Sequence, residues 1–143
     1  MRHFIAMFAL ASMCKAAIAA PPDMGLVSKP CSSLNEESLG LSSSYNVCMK
    51  QGAGNIGLEI ECHNKEWARL DHELNSAYRA AFARIGPRRT AALKESQRAW
   101  LAMRGPHCII ETEESGGTQD KSDELSCSIR VLAYRVCYLQ QLQ

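Results

Sequence analysis

Residues 55–87 read NIGLEIECHNKEWARLDHELNSAYRAAFARIGP, and this stretch decides the fold. Ile56, Ile60, His63, Trp67, Leu70, Leu74, Ala77, Ala81 and Ile85 recur at steps of three and four. At 3.6 residues per turn those positions form one stripe of a long helix. Asn55 is placed to cap its start, and Gly86-Pro87 to end it. Glu61 and Lys65, four apart on the outer face, add modest local support.

Working outward, the span from about Arg88 to Arg104 predicts a second helix with apolar residues Ala91, Ala92, Leu93, Ala99, Trp100, Leu101 and Met103. Gly105-Pro106 predicts its stop, because proline lacks the N–H that a helix needs. Glu111 to Asp123 is polar and holds Gly116-Gly117, so it reads as a loop. A last helix is expected from about Ser122 to Gln140, carrying Leu125, Ile129, Leu132, Val136 and Leu139. Upstream, Tyr45 to Gln51 suits a short helical turn that Gly52-Ala53-Gly54 breaks. Residues 20–44, punctuated by Pro21-Pro22, Pro30 and Ser42-Ser43-Ser44, predict an extended arm. No β-type alternation competes. The expected fold is all-α: residues 45–143 form an antiparallel bundle of three main helices with disulfide-stapled hairpins, preceded by an N-terminal arm.

The first 19 residues read as a signal peptide. Met1-Arg2-His3 is basic, Phe4 to Met13 is apolar, and Ala17 and Ala19 supply the small residues for cleavage after Ala19. The apolar run is shorter than the roughly 20 residues a membrane-spanning helix needs, and no later stretch is longer. A lipid anchor at Cys14 is disfavoured by Met13, which stands where a small residue is expected. The expected location is therefore periplasmic or secreted, without a transmembrane segment. Removing Arg2 and Lys15 leaves 14 basic against 15 acidic residues. That balance argues against nucleic acid as a partner, which would call for a strong basic field.

Cleavage also removes Cys14 and leaves six cysteines, an even number that reads as three disulfides in an exported chain. Six thiols allow 15 pairings, and the turns narrow the choice. Cys48 and Cys62 flank the Gly52–Gly54 break, and Cys108 and Cys127 flank the loop before the last helix. Each pair would staple a hairpin, leaving Cys31 to pin the arm to Cys137.

Two motifs then stand in order: Asp71-x-x-Leu74-Asn75-x-x-Tyr78, and Leu93-Lys94-x-x-Gln97-Arg98-Ala99-Trp100-x-x-x-Arg104-x-x-x-Cys108. With Cys127 following Gly116-Gly117-Thr118, they resemble the signature of the lysozyme inhibitor LprI-like family, over roughly Cys48 to Leu142. The resemblance implies an exported helical domain, in a family named after a member that inhibits lysozyme. One departure stands out: the family often has an acidic residue after the motif arginine, where this chain has Gly105-Pro106. That difference predicts a shortened second helix and puts any contact made there in doubt.

The motifs also predict a register. Asp71, Asn75, Tyr78 and Phe82 step along the first long helix as Arg104, Trp100, Gln97 and Leu93 step back along the second. In an antiparallel hairpin turning near Pro87 these four pairs lie level, which reads as a structural seam rather than a binding site.

Catalytic readings find little support. His63, His72 and His107 are available bases, yet neither G-x-S-x-G nor H-E-x-x-H occurs, and an enzyme is not expected. Cys62-His63 and His107-Cys108 have zinc-ligand chemistry, but disulfides would consume their sulfurs, so neither metal nor cofactor is expected. The acidic run with Glu111, Glu113, Glu114, Asp120, Asp123 and Glu124, around Gly116, suits a solvated connector or a handle for a cationic partner. Lysozymes are typically basic. The leading expectation is a non-covalent inhibitor of a lysozyme-like muramidase. The alternative is a periplasmic immunity or accessory protein that binds another effector or envelope component, and a third is an envelope-stress protein with no enzyme target.

Overall fold

The computed structural model describes Cys31, residues 39–112 and residues 116–142. The expected signal peptide and most of the arm lie outside these residues. Four helices follow one another among the described residues: α1 (Ser43–Gly52), α2 (Ile56–Arg84), α3 (Pro87–Glu111) and α4 (Thr118–Gln141). Among the described residues no helix is long and apolar enough to cross a membrane.

The core lies between α2 and α4. Leu70, Leu74, Ala77, Ala81 and Ile85 pack with Ile129, Leu132, Ala133, Val136 and Leu139. These two helices make the most extensive contact in the fold; α1 rides on α2, and α3 on α4. Asn55 caps α2 by accepting from the Leu58 N–H at 3.2 Å. Gly86 precedes Pro87 at the first position of α3, where a missing N–H costs nothing.

Two expected boundaries are corrected. α3 continues through Gly105-Pro106 and ends at Glu111 rather than at Arg104. Pro106 forfeits one hydrogen bond, to the carbonyl of Ala102, but Ala102 sits on the exposed side, where a carbonyl left without that bond costs little. Beyond it, Cys108 is fully buried and bridged to Cys127, so the added turn is held by tertiary contacts that outweigh local propensity. α4 starts at Thr118, about one turn before the expected Ser122. Gly116 adopts φ +73°, and its N–H donates to Asp120 at 2.7 Å, closing the turn and bringing a carboxylate to the positive end of the helix. The connection therefore spans residues 112–117, half the expected loop.

Three disulfides cross-link the chain: Cys31–Cys137, Cys48–Cys62 and Cys108–Cys127, with Cα separations of 6.0, 5.8 and 5.6 Å. The first encloses the other two. The turn leading into α1 is further clipped to α2 by a buried carboxylate. Glu66 accepts from the Ser42 N–H at 2.8 Å and from the Ser42 hydroxyl at 2.7 Å. Arg69 bridges Glu66 at 2.6 Å and donates to the Gly40 carbonyl at 2.8 Å, while Leu39 enters the core. Burial pushes the Glu66 carboxyl pKa up, but the hydrogen bonds from Arg69 and Ser42 more than offset this and hold it below its ordinary value.

Candidate functional site

The α3–α4 tip gathers the acidic residues singled out from the sequence. Glu111 ends α3, and Asp120, Asp123 and Glu124 line the first two turns of α4. Lys121 stands among them, 3.1 Å from Glu124. Gly116 and Gly117 border a shallow hollow of about 400 Å³ that Ile109, Thr112, Asp120, Lys121 and Glu124 also line. Glu113 and Glu114 lie outside the described residues.

Ile109 and Ile110 are the residues that sequence reasoning missed. They are 55% and 83% exposed, so Ile110 offers nearly its whole side chain to solvent. The cause is helical phase. Cys108 points into the core, and a residue two positions on lies about 200° around the axis, facing out. The expected stop at Arg104 hid this consequence, since it placed Ile110 outside any helix.

The motif residues gather elsewhere, between α2 and α3. Asp71, Asn75, Tyr78 and Gln97 line a groove of about 450 Å³ with Leu74, Lys94, Arg98 and Leu101. The two helices are antiparallel here, and their backbones stay apart along most of the groove. Asp71 Oδ1 lies 3.7 Å from Arg104 Nη1, an ion pair longer than a hydrogen bond. The Arg104 guanidinium sits 5.7 Å from the Trp67 ring centre and 5.3 Å from that of Trp100, within cation–π range of both. The other expected pairs do not close. Asn75 donates back to the Asp71 carbonyl on its own helix, and Gln97 accepts from Arg135 of α4 at 2.9 Å. Phe82 stays at the surface under Lys94 while Leu93 turns into the core, because a residue so near the turn faces α4 rather than α2.

Each of the three described histidines has a separate setting. His63 is buried, and its Nδ1 lies 3.1 Å from the Tyr45 hydroxyl. Burial lowers its pKa, opposed by Glu59 and Asp123 and aided by Arg130. His72 is exposed on α2. His107 Nε2 lies 3.2 Å from Glu111 Oε1, close to the Cys127 sulfur, which is bound in its disulfide.

A family model described as "Lysozyme inhibitor LprI" matches residues 48–142. Proteins named "Lipoprotein LprI" from Mycobacterium tuberculosis and Mycobacterium bovis are 39% identical to this chain over 55 residues. That match covers 38% of this chain and 26% of each relative, so the chain spans about a quarter of the length of those proteins. No solved structure matches. The family match runs from Cys48 in α1 to the end of α4, taking in both motif strips and the stapled tip: the chain belongs to the lysozyme inhibitor LprI family.

Proposed function

We propose that this chain acts as an exported binding protein that inhibits a lysozyme-like muramidase through a non-covalent complex. The observation that carries the reading is the α3–α4 tip. There, the exposed Ile109 and Ile110 stand beside Glu111, Asp120 and Glu124 on a hairpin stapled by Cys108–Cys127. An apolar anchor inside a charged rim is the usual make-up of a protein-binding hot spot. Acidic groups steer a basic partner, and a cross-linked hairpin loses little freedom on binding. The family name supports the choice of partner, and the relatives' description as lipoproteins supports export. In the same reading, Asp71, Asn75, Tyr78, Gln97, Trp100 and Arg104 serve to seat α3, while Gly116 with Glu113 and Glu114 belongs to the binding tip.

The oxidised protein should slow cell-wall lysis by at least one class of lysozyme, measured across several classes. Ile110→Asp should weaken that inhibition about tenfold or more, while Glu113→Lys with Glu114→Lys should slow association and flatten its salt dependence. Loss of lysozyme binding in every class, with a complex to another envelope component, would transfer the reading to an accessory or immunity role. Undiminished inhibition by Ile110→Asp would move the site away from the tip.

A further inference from the structure

We propose that His107, Cys108, Glu111 and Cys127 form a four-donor site for a thiophilic divalent cation, zinc above all, in chains whose Cys108 and Cys127 are still thiols. His107 Nε2, a Glu111 carboxylate oxygen and Cys127 Sγ lie within 4.8 Å of one another. His107 Nε2 lies 3.2 Å from Glu111 Oε1, and Cys127 Sγ lies 3.6 Å from the other carboxylate oxygen, Oε2. Cys108 Sγ adds a fourth donor, since it is bonded to that same Cys127 sulfur. Zinc bonds of about 2.0–2.3 Å set tetrahedral donor spacings of roughly 3.3–3.8 Å, so the Glu111 carboxylate already stands near working distance from both His107 and Cys127. The two sulfurs must part by about 1.7 Å once unbonded, within the reach of cysteine side-chain rotation.

Local structure makes the arrangement economical. His107 and Glu111 are four apart on one face of α3, Cys108 lies beside His107, and Cys127 arrives from the facing turns of α4. Both sulfurs are buried while His107 and Glu111 remain partly exposed, so a cation has an approach from solvent and a dry side to rest against. No comparable gathering forms around Cys48–Cys62 among the described residues.

Binding converts two thiols and one aqueous Zn²⁺ into two zinc–thiolate bonds and two released protons, with His107 neutral and Glu111 ionised. No electron moves, because every chain is synthesised in the thiol state. The disulfide and the metal site are mutually exclusive. A bound cation would pin the α3–α4 tip before oxidation and shield that cysteine pair from it. This inference stands apart from any partner at the tip.

The test uses the full-length chain reduced with a phosphine and titrated with Co²⁺ and Zn²⁺ against a chromophoric chelator. A second sample carries serine at Cys14, Cys31, Cys48, Cys62 and Cys137, leaving only the proposed pair. Both should bind one equivalent with a tetrahedral thiolate–cobalt spectrum, and the oxidised forms should bind at least a hundredfold more weakly. His107→Ala and Glu111→Gln should each weaken binding about tenfold. Zinc should slow Cys108–Cys127 closure by glutathione disulfide at least tenfold, read by mass spectrometry, with Cys48–Cys62 unaffected in the natural chain. Refolding on zinc addition, should the five-serine chain unfold when reduced, would support the site. Cobalt spectra without tetrahedral thiolate bands, or affinity indifferent to both His107→Ala and Glu111→Gln, would overturn it.

Discussion

α2 and α4 bury a side chain at nearly every turn, from Leu70, Leu74, Ala77 and Ala81 on one to Ile129, Leu132, Val136 and Leu139 on the other. α3 is shorter than α2 and slightly longer than α4, yet it buries only Leu93 and Cys108. The first pair is held by apolar area, a diffuse force proportional to surface removed from water. α3 is held at points: the Gly86-Pro87 turn, Leu93, the Trp67–Arg104–Trp100 stack, the Arg135 bonds to Ser96 and Gln97, and the Cys108–Cys127 bridge. A helix held at points keeps its remaining faces free for other work, and here those faces carry Leu101, Met103, Ile109 and Ile110.

The contrast breaks most readily by truncation. Leu70→Ala should cost about 2–5 kcal/mol in denaturant unfolding, since Leu70 is 1% exposed in the α2–α4 core. Leu101→Ala on α3 should change stability by only about 0.5 kcal/mol. Equal losses would mean that the Leu101 face of α3 is packed as tightly as the α2–α4 core.

Arg104→Ala comes next, and sharpens the account of point fixation. A fully buried ion pair would lose about 3–5 kcal/mol on removing one partner, but Arg104 and Asp71 are 28% and 34% exposed. Two ring contacts and a long, partly solvated ion pair add up to about 1–2 kcal/mol. Amide exchange should rise along α3 and stay unchanged in the Leu70–Leu132 region. A uniform rise would remove the distinction between the two helices.

Acid gives the smallest effect. The His63 pKa is lowered in the fold from its ordinary value of 6.5, so the folded state binds fewer protons than the unfolded state just below that value. Its contribution is complete above pH 6.5 and is lost as pH falls toward the folded pKa. Glu66, also lowered, adds a separate loss as pH falls below 4.5. The melting temperature of the natural chain should therefore drop between pH 7 and pH 5.5, and His63→Gln should flatten that drop. An equal slope in both proteins would place the acid sensitivity outside the α1–α2 contact.

The difference between the helices also explains what could be read in advance. The α2 stripe and the Leu125–Leu139 series were legible because apolar spacing records which face meets a core. α3 has no such record. Leu101 and Met103 belong to its apolar residues and are exposed, and Pro106 has the character of a stop although Cys108 holds the helix beyond it. The early start of α4 was masked by polar residues whose roles there are capping and helix pairing, as with Asp120, and Gln119 with Asp123. Glu66 gives no sign of burial in the sequence, yet it is buried; Arg69 three residues on and the distant Ser42 make that tolerable. The Asp71–Arg104 level could be read from spacing alone, whereas the open groove beside it could not, because it depends on how far apart two backbones settle.

The outermost disulfide has a mechanical meaning. Cys31 and Cys137 are 106 positions apart in the chain, yet their Cα atoms are 6.0 Å apart. Tension applied to the polypeptide before Cys31 and after Cys137 would run through that one bond and bypass α1, α2, α3 and all but the last turn of α4. About 350 Å of contour length stays outside the load path. Stretched that way, the oxidised domain should behave as a short rigid link, and only the reduced chain would pay out its helices under force.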